Sequence, residues 1–176
     1  QPYADNYDLV LVAGGDGTIN EVVNGLAGSG RLERVAVGVL PYGTANDFSA
    51  HLGLLNRPMD DVLEATLNAD VAPADLGLAQ ERYFVNAASG GIGASATTDA
   101  APELKRSLGK FAYFVSGIMK AGEIAGSVIH VRGGEFEWSG ESVGFVVANG
   151  TCAGGNICVA PGACIDDGLL DLMLIP

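Results

Sequence analysis

Seven residues, GGDGTIN at positions 14 to 20, have the composition of a ligand-binding turn. Glycine tolerates positive φ and lets the backbone approach a ligand closely. Where such a turn opens a helix, the first N–H groups are unpaired donors beside the positive end of the helix dipole, and they suit a phosphate. An ordinary strand-to-helix turn has the same look. A P-loop would need Gly-Lys-Ser/Thr, and the turn has no lysine; the dinucleotide fingerprint would need glycine where Asn20 stands. Asp16 would repel phosphate, so it anchors the turn through backbone N–H groups, orients a hydroxyl, or joins a cation and water network. A second stretch, LPYGTANDFSAHLGL at 40 to 54, offers backbone and hydroxyl contacts at Gly43 and Thr44. In it, Asn46 and Asp47 either cap the following segment or face the ligand.

The elements that position these residues are legible around them. Tyr7 to Ala13 and Val35 to Leu40 are short apolar runs of the length of buried parallel strands. Between them Ile19, Val22, Val23, Leu26 and Ala27 have helical spacing, Thr18 and Glu21 have capping-box spacing, and Gly28 is a natural stop. Strand, glycine turn, helix, strand is a βαβ unit, which places ligands at the carboxyl ends of the strands. Asp16, Thr18, Thr44 and Asp47 then share one edge of the sheet. A second helix is predicted over Pro58 to Asn68. Strand-like segments follow at 82 to 89, 127 to 133 and 141 to 150, interrupted by a helical candidate from about Pro102 to Glu123. The change of pattern near Val71 to Pro73 divides an α/β part from a mainly β part.

Composition narrows the function classes. Nine Lys plus Arg stand against 21 Asp plus Glu, and the net charge of -12 opposes tracking along nucleic-acid phosphates. It also repels an anionic bilayer, so any membrane contact must be local or come from other segments. No apolar run reaches the roughly 18 residues of a transmembrane helix, and the first residues show no secretory signal. Cys152, Cys158 and Cys164 are odd in number and lack CxxC spacing, which argues against a disulfide framework or structural zinc; small buried thiols are the expectation.

GGDGT followed by PYGTANDF closely resembles the diacylglycerol kinase catalytic domain, in the superfamily that also holds sphingosine kinases and, more distantly, NAD kinases. FVNAASGGIGASATTDAAPELKRSLGKFAYFVSGIMKA at 84 to 121, GEFEWSG at 134 to 140 and ANGTCAGGNICVAPGACIDDGLLDL at 148 to 172 resemble the YegS-type bacterial lipid kinases in particular. The resemblance runs nearly the whole length of the chain. It implies an NAD kinase-like parallel α/β nucleotide-binding domain over residues 1 to 72 and a β-sandwich-like substrate domain over 73 to 176, with the active cleft between them.

The implied activity is transfer of the ATP γ-phosphoryl group to a lipid hydroxyl, with phosphatidylglycerol the first candidate and diacylglycerol the second. An NAD kinase-like enzyme, or a nucleotide-binding protein without turnover, is the alternative. The resemblance places ATP on Gly14, Gly15, Asp16, Gly17, Thr18, Ile19, Asn20 and Thr44, and puts Asp47 and Asp16 in the acidic network handling catalytic Mg2+ and water. A supporting Mg2+ site would use the Asp167 side chain with the carbonyl oxygens of Cys164 and Leu169, since a hard cation prefers oxygen. A plain Asp-Gly turn is the other reading of Asp167 and Gly168. Gly154, Gly155 and Asn156 stand where the family has three glycines, and Asn also accepts the left-handed conformation. The catalytic base and a further ATP-contacting threonine are expected outside this chain, so the chain alone is expected to be inactive. The implied setting is cytoplasmic, with peripheral contact at the inner membrane face.

Overall fold

A computed structural model describes residues 7–91, 126–155 and 157–175. The chain opens with β1 (Leu9–Gly14), α1 (Asp16–Gly28) and β2 (Ala36–Pro41), and β1 pairs with β2 in parallel from Leu9↔Ala36 to Gly14↔Pro41. The βαβ unit forms as its apolar runs require. Its helix starts earlier than the spacing implied: Asp16 is already helical, Gly15 is the N-cap, and no side chain caps it. The Thr18–Glu21 capping box is therefore absent. Gly15 carbonyl oxygen accepts from the N–H groups of Thr18 and Ile19 at 2.9 and 3.1 Å, closing the first turn where Thr18 was expected to precede it. Gly28 does end the helix, and Gly30, at φ +68, turns the chain away.

A short α2 (Asp47–His51) and α3 (Met59–Asn68) follow, with Pro58 at the N-cap of α3. Val12, Val39, Ile19, Val23 and Val62 bury together with Leu54 and Val85 as a first core. Val62 and Val39 are 0% and 1% exposed, and complete burial of such a side chain contributes about 1.5–3 kcal/mol. This core fixes α1 against β1 and α3 against β2, and so fixes where their first turns sit.

The remainder is built from antiparallel strands: β3 (Gly77–Ala79), β4 (Arg82–Phe84), β5 (Ala87–Gly91), β6 (Ser127–Gly133), β7 (Phe136–Ser142), β8 (Gly144–Ala148), β9 (Cys152–Ala153), β10 (Ile157–Cys158) and β11 (Asp171–Ile175). β8 is central in a three-stranded sheet between β11 and β5, while β3–β4, β6–β7 and β9–β10 are two-stranded. The stretch 82 to 89 divides into β4 and β5, because Asn86 leaves the ladder and its carbonyl accepts from Asn149 and Gly150. A second core joins Val146, Ala148, Ala153, Val159, Ala160 and Ala163. The helix expected over 102 to 123 and the backbone role of Asn156 lie outside the described residues.

Candidate functional site

The two glycine turns meet where β1 and β2 end. A methyl group on Gly15 would lie 2.9 Å from the Gly43 Cα, and one on Gly14 would lie 2.6 Å from the Thr18 Oγ1. Both glycines thus serve close packing. Gly17 differs, since a Cβ there meets nothing within 4 Å. Its N–H and that of Asp16 have no partner among the described residues, as expected of the first turn of a helix. The open surface of this turn therefore centres on Gly17, with the next residue Thr18 exposed and Thr44, which follows the contacting Gly43, exposed as well.

Asp16 resolves one of the alternatives left by its sequence. Its Oδ1 accepts from the Phe48 N–H at 2.9 Å and from Asn86 Nδ2 at 2.8 Å, and its Oδ2 accepts from the Asp47 N–H at 3.1 Å. The carboxylate caps α2 from another helix, a charge-assisted arrangement stronger than a neutral one. Asn46, the N-cap of α2, makes no capping bond; it sits in the left-handed region at φ 54. Its side chain instead accepts from the Gly43 N–H at 2.9 Å and donates to the Gly43 carbonyl at 2.7 Å. Ile19 belongs to the core and not to the ligand surface, because it is 1% exposed and its N–H is taken by Gly15.

Asp47 is 5% exposed, and both its oxygens accept from the Gly155 N–H at 3.1 Å. That bond ties the start of α2 to the turn after β9. A parallel connection runs through three residues that spacing did not single out: Asp75, Asn86 and Asn149. Asn149 is 1% exposed; its Nδ2 donates to the Asp75 and Val85 carbonyls, both at 2.8 Å, and its N–H donates to the Asn86 carbonyl at 2.7 Å. Two carbonyl acceptors fix the amide orientation, leaving Asn149 Oδ1 buried without a partner among the described residues. Asp75 Oδ2 accepts from the Gly168 N–H at 2.6 Å, and its own N–H donates to the Ile165 carbonyl at 2.6 Å. Polar residues at the ends of apolar strands, Asn86 after Val85 and Asn149 after Ala148, were the available signal.

The loop from Cys164 to Leu169 is more open. Asp167 is exposed and its Oδ1 accepts from the Leu169 N–H at 2.9 Å, while Gly168 takes φ +73. This is an Asx-type turn with one carboxylate oxygen left to offer a cation. The Cys164 thiol donates to Asp166 Oδ1 at 2.9 Å, and that hydrogen bond, with the Asp166 charge behind it, pushes the thiol pKa up. A protonated sulfur is a poor metal ligand, so any cation at this loop would have to be held by oxygens. No cluster of three or more His, Cys, Asp or Glu able to hold a metal occurs among the described residues; one carboxylate with two carbonyls is not a cluster of that kind. The thiols are less buried than expected: Cys158 and Cys164 are exposed and Cys152 is half-buried.

Residues 2–79 match the diacylglycerol kinase catalytic domain, and residues 86–176 match the YegS C-terminal NAD kinase beta sandwich-like domain. A protein of Yersinia enterocolitica named "Probable lipid kinase YegS-like" is 37% identical over 169 residues, covering 96% of this chain and 57% of its own length. A Serratia proteamaculans protein of the same name is 38% identical over 167 residues, or 94% of this chain and 54% of its own. The crystal structure of a diacylglycerol kinase from Bacillus anthracis superposes with TM-score 0.78 at 31% identity, covering 99% of this chain and 56% of that one. The chain spans little more than half the length of these relatives. With the glycine turns, the acidic residues at their strand ends and the sheet-rich C-terminal part all in the matched stretches, the chain belongs to the YegS-like lipid kinase family.

Proposed function

We propose that the full-length protein transfers the ATP γ-phosphoryl group to a lipid hydroxyl, phosphatidylglycerol before diacylglycerol. The observation that carries the reading is the first turn of α1. It is held rigidly by Gly15 against Gly43 and by Asp16 against α2, yet at Gly17 it presents an unobstructed backbone with free N–H donors. Such a preformed cradle suits the phosphates of a nucleotide. Asp47, whose N–H donates to Asp16 in this turn, would join Asp16 in positioning Mg2+ and water, and Asp167 with the Cys164 and Leu169 carbonyls would hold the supporting ion. When bound, these groups supply the phosphoryl donor and the charge neutralisation on which phosphoryl transfer mainly depends. The chain supplies position: the polar links from Asp16 through Asn86 and Asn149 to Asp75 keep the two halves in register.

A lipid acceptor is favoured by the apolar side chains next to the Asp-Gly turn, Leu169 and Leu170, which are 66% and 46% exposed. It implies peripheral contact with a membrane face and a cytoplasmic enzyme. No helix among the described residues is long and apolar enough to cross a membrane. The test is transfer of radiolabel from ATP by the full-length protein to a panel of lipids and to NAD. Label in phosphatidylglycerol or diacylglycerol is the expected result; label in NAD alone, or binding without transfer, would overturn it. Asp47→Asn belongs in the same assay, with turnover lost and the melting temperature nearly kept.

A further inference from the structure

Cys152 and Cys158 are direct cross-strand partners in the β9–β10 ladder. The neighbouring rung is the hydrogen-bonded one: the Val159 N–H donates to the Thr151 carbonyl at 3.0 Å. Antiparallel ladders alternate, so the Cys152–Cys158 rung is a non-hydrogen-bonded pair, the kind in which side chains approach most closely, with Cα atoms about 4.5 Å apart. That spacing lies just inside the range of about 4.4–6.8 Å that a disulfide accepts. Side chains of paired residues share a face. Ala153 and Val159, on the other face, are 4% and 8% exposed and belong to the second core, so the two thiols share the outer face, with Cys158 exposed. The Thr151 hydroxyl donates to the Cys152 sulfur at 3.6 Å.

We propose that Cys152 and Cys158 are a modification site that closes into a reversible cross-strand disulfide with low-molecular-weight disulfides as the oxidant. The exposed Cys158, as thiolate, attacks one sulfur of the oxidant RSSR, breaking its S–S bond and releasing one RS⁻. Cys152 thiolate then attacks the Cys158 sulfur of the mixed disulfide and releases the second RS⁻. The two thiol protons end on the two RS⁻ groups, so two protein thiols and one RSSR give one protein disulfide and two RSH. This is no structural framework, since it uses two of three cysteines and leaves Cys164 out. Its short loop encloses Gly154 and Gly155, and the Gly155 N–H donates to both carboxylate oxygens of Asp47. Disulfides prefer Cα separations of about 5.5–6 Å, roughly an ångström wider than this rung, so closure spreads the base of the turn and shifts Gly155 against Asp47.

Only the consequence for turnover rests on the kinase reading; the cross-link does not. The full-length protein, reduced and then equilibrated with glutathione disulfide, should yield a peptide pair joined at Cys152 and Cys158 on alkylation and mass spectrometry. Glutathione adducts that persist on either cysteine, or two free thiols, would overturn the proposal. Amide exchange at Gly155 should speed up on oxidation. Lipid phosphorylation should fall by about tenfold and recover with dithiothreitol, since small misplacements around a reacting group cost up to about 10²-fold. Neither change should occur in Cys152→Ser/Cys158→Ser. An equal response in that double variant, or a cross-link that leaves Gly155 exchange unchanged, would sink the regulatory role. A reduced protein inactive on every lipid, with the cross-link and exchange change intact, would defeat the kinase reading alone.

Discussion

The paired glycine turns and the Cys164–Leu169 loop lie at the two ends of one run of polar links, from Asp16 through Asn86 and Asn149 to Asp75 and Gly168, yet they are held in opposite ways. At the turns, backbone presses on backbone between Gly15 and Gly43, and a carboxylate accepts three hydrogen bonds. In the loop, the residues from Asp166 to Leu170 are exposed and the main restraint is Asp75 on Gly168. The first geometry is set by the fold itself, without a ligand. The second has exposed carboxylates at Asp166 and Asp167, few packed neighbours and room to adjust, which suits a site completed by a cation. Perturbing each should therefore give different signatures.

The largest effect is expected at Gly43. A methyl group there falls on the Gly15 Cα, and both positions are backbone, so neither can swing aside. Gly43→Ala should cost about 3 kcal/mol or leave the protein unfolded, at the upper end of overpacking costs. A urea melt within about 0.5 kcal/mol of wild type, the range of neutral surface changes, would show that the turns are looser than described.

Asp16→Ala comes next. It leaves the Phe48 and Asp47 N–H groups and the Asn86 amide without their acceptor, and each half-buried unsatisfied donor costs about 1–3 kcal/mol, less where water reaches it. A loss of about 2 kcal/mol with slower nucleotide binding is expected, and Asp16→Asn should recover part of it. If Asp16 acted only on a cation, stability measured without magnesium would not change.

How far these arrangements could be read in advance depends on the reach of the contacts. β1, α1, β2 and α3 were legible because apolar spacing is local and the first core uses that spacing directly. The bonds that assemble the site span 70 residues from Asn86 to Asp16 and 108 from Gly155 to Asp47, and such pairs leave no periodic trace. The capping box misled for a related reason. Thr18 has the right type and spacing, but its N–H is already bonded to the Gly15 carbonyl within the first turn, so the helix starts at Asp16. β7 went unread for want of a continuous apolar run, although Phe136 and Trp138, alternating with Glu137 and Ser139, carry the period-two signal of a hairpin strand with one apolar face.

A smaller stability effect is expected in the loop. Asp75→Ala removes the acceptor of the Gly168 N–H at the surface, worth about 1 kcal/mol. The informative measurement is the melting temperature with and without magnesium. Ligand that binds only the folded state raises it, and Asp75→Ala and Asp167→Ala should both shrink that rise. An undiminished rise in Asp167→Ala would place the ion elsewhere.

The smallest stability effect, and the sharpest test of the comparison, belongs to Gly17→Val. The added side chain meets no protein atom within 4 Å, so packing neither resists nor rewards it. Valine also has a slightly better helix propensity than glycine, so the melt should stay within about 0.5 kcal/mol of wild type. Binding should behave differently. Two branches of a β-branched side chain would stand over the N–H groups of Asp16 and Gly17, keeping a phosphate from donors worth about 1.5–3 kcal/mol when they meet a charge. Calorimetry on the full-length protein should show ATP affinity weaker by at least about tenfold, which corresponds to about 1.4 kcal/mol. Wild-type affinity in a stably folded Gly17→Val protein would mean that the open face of this turn is bare surface, and that nucleotide contact must be sought at Thr44 or beyond.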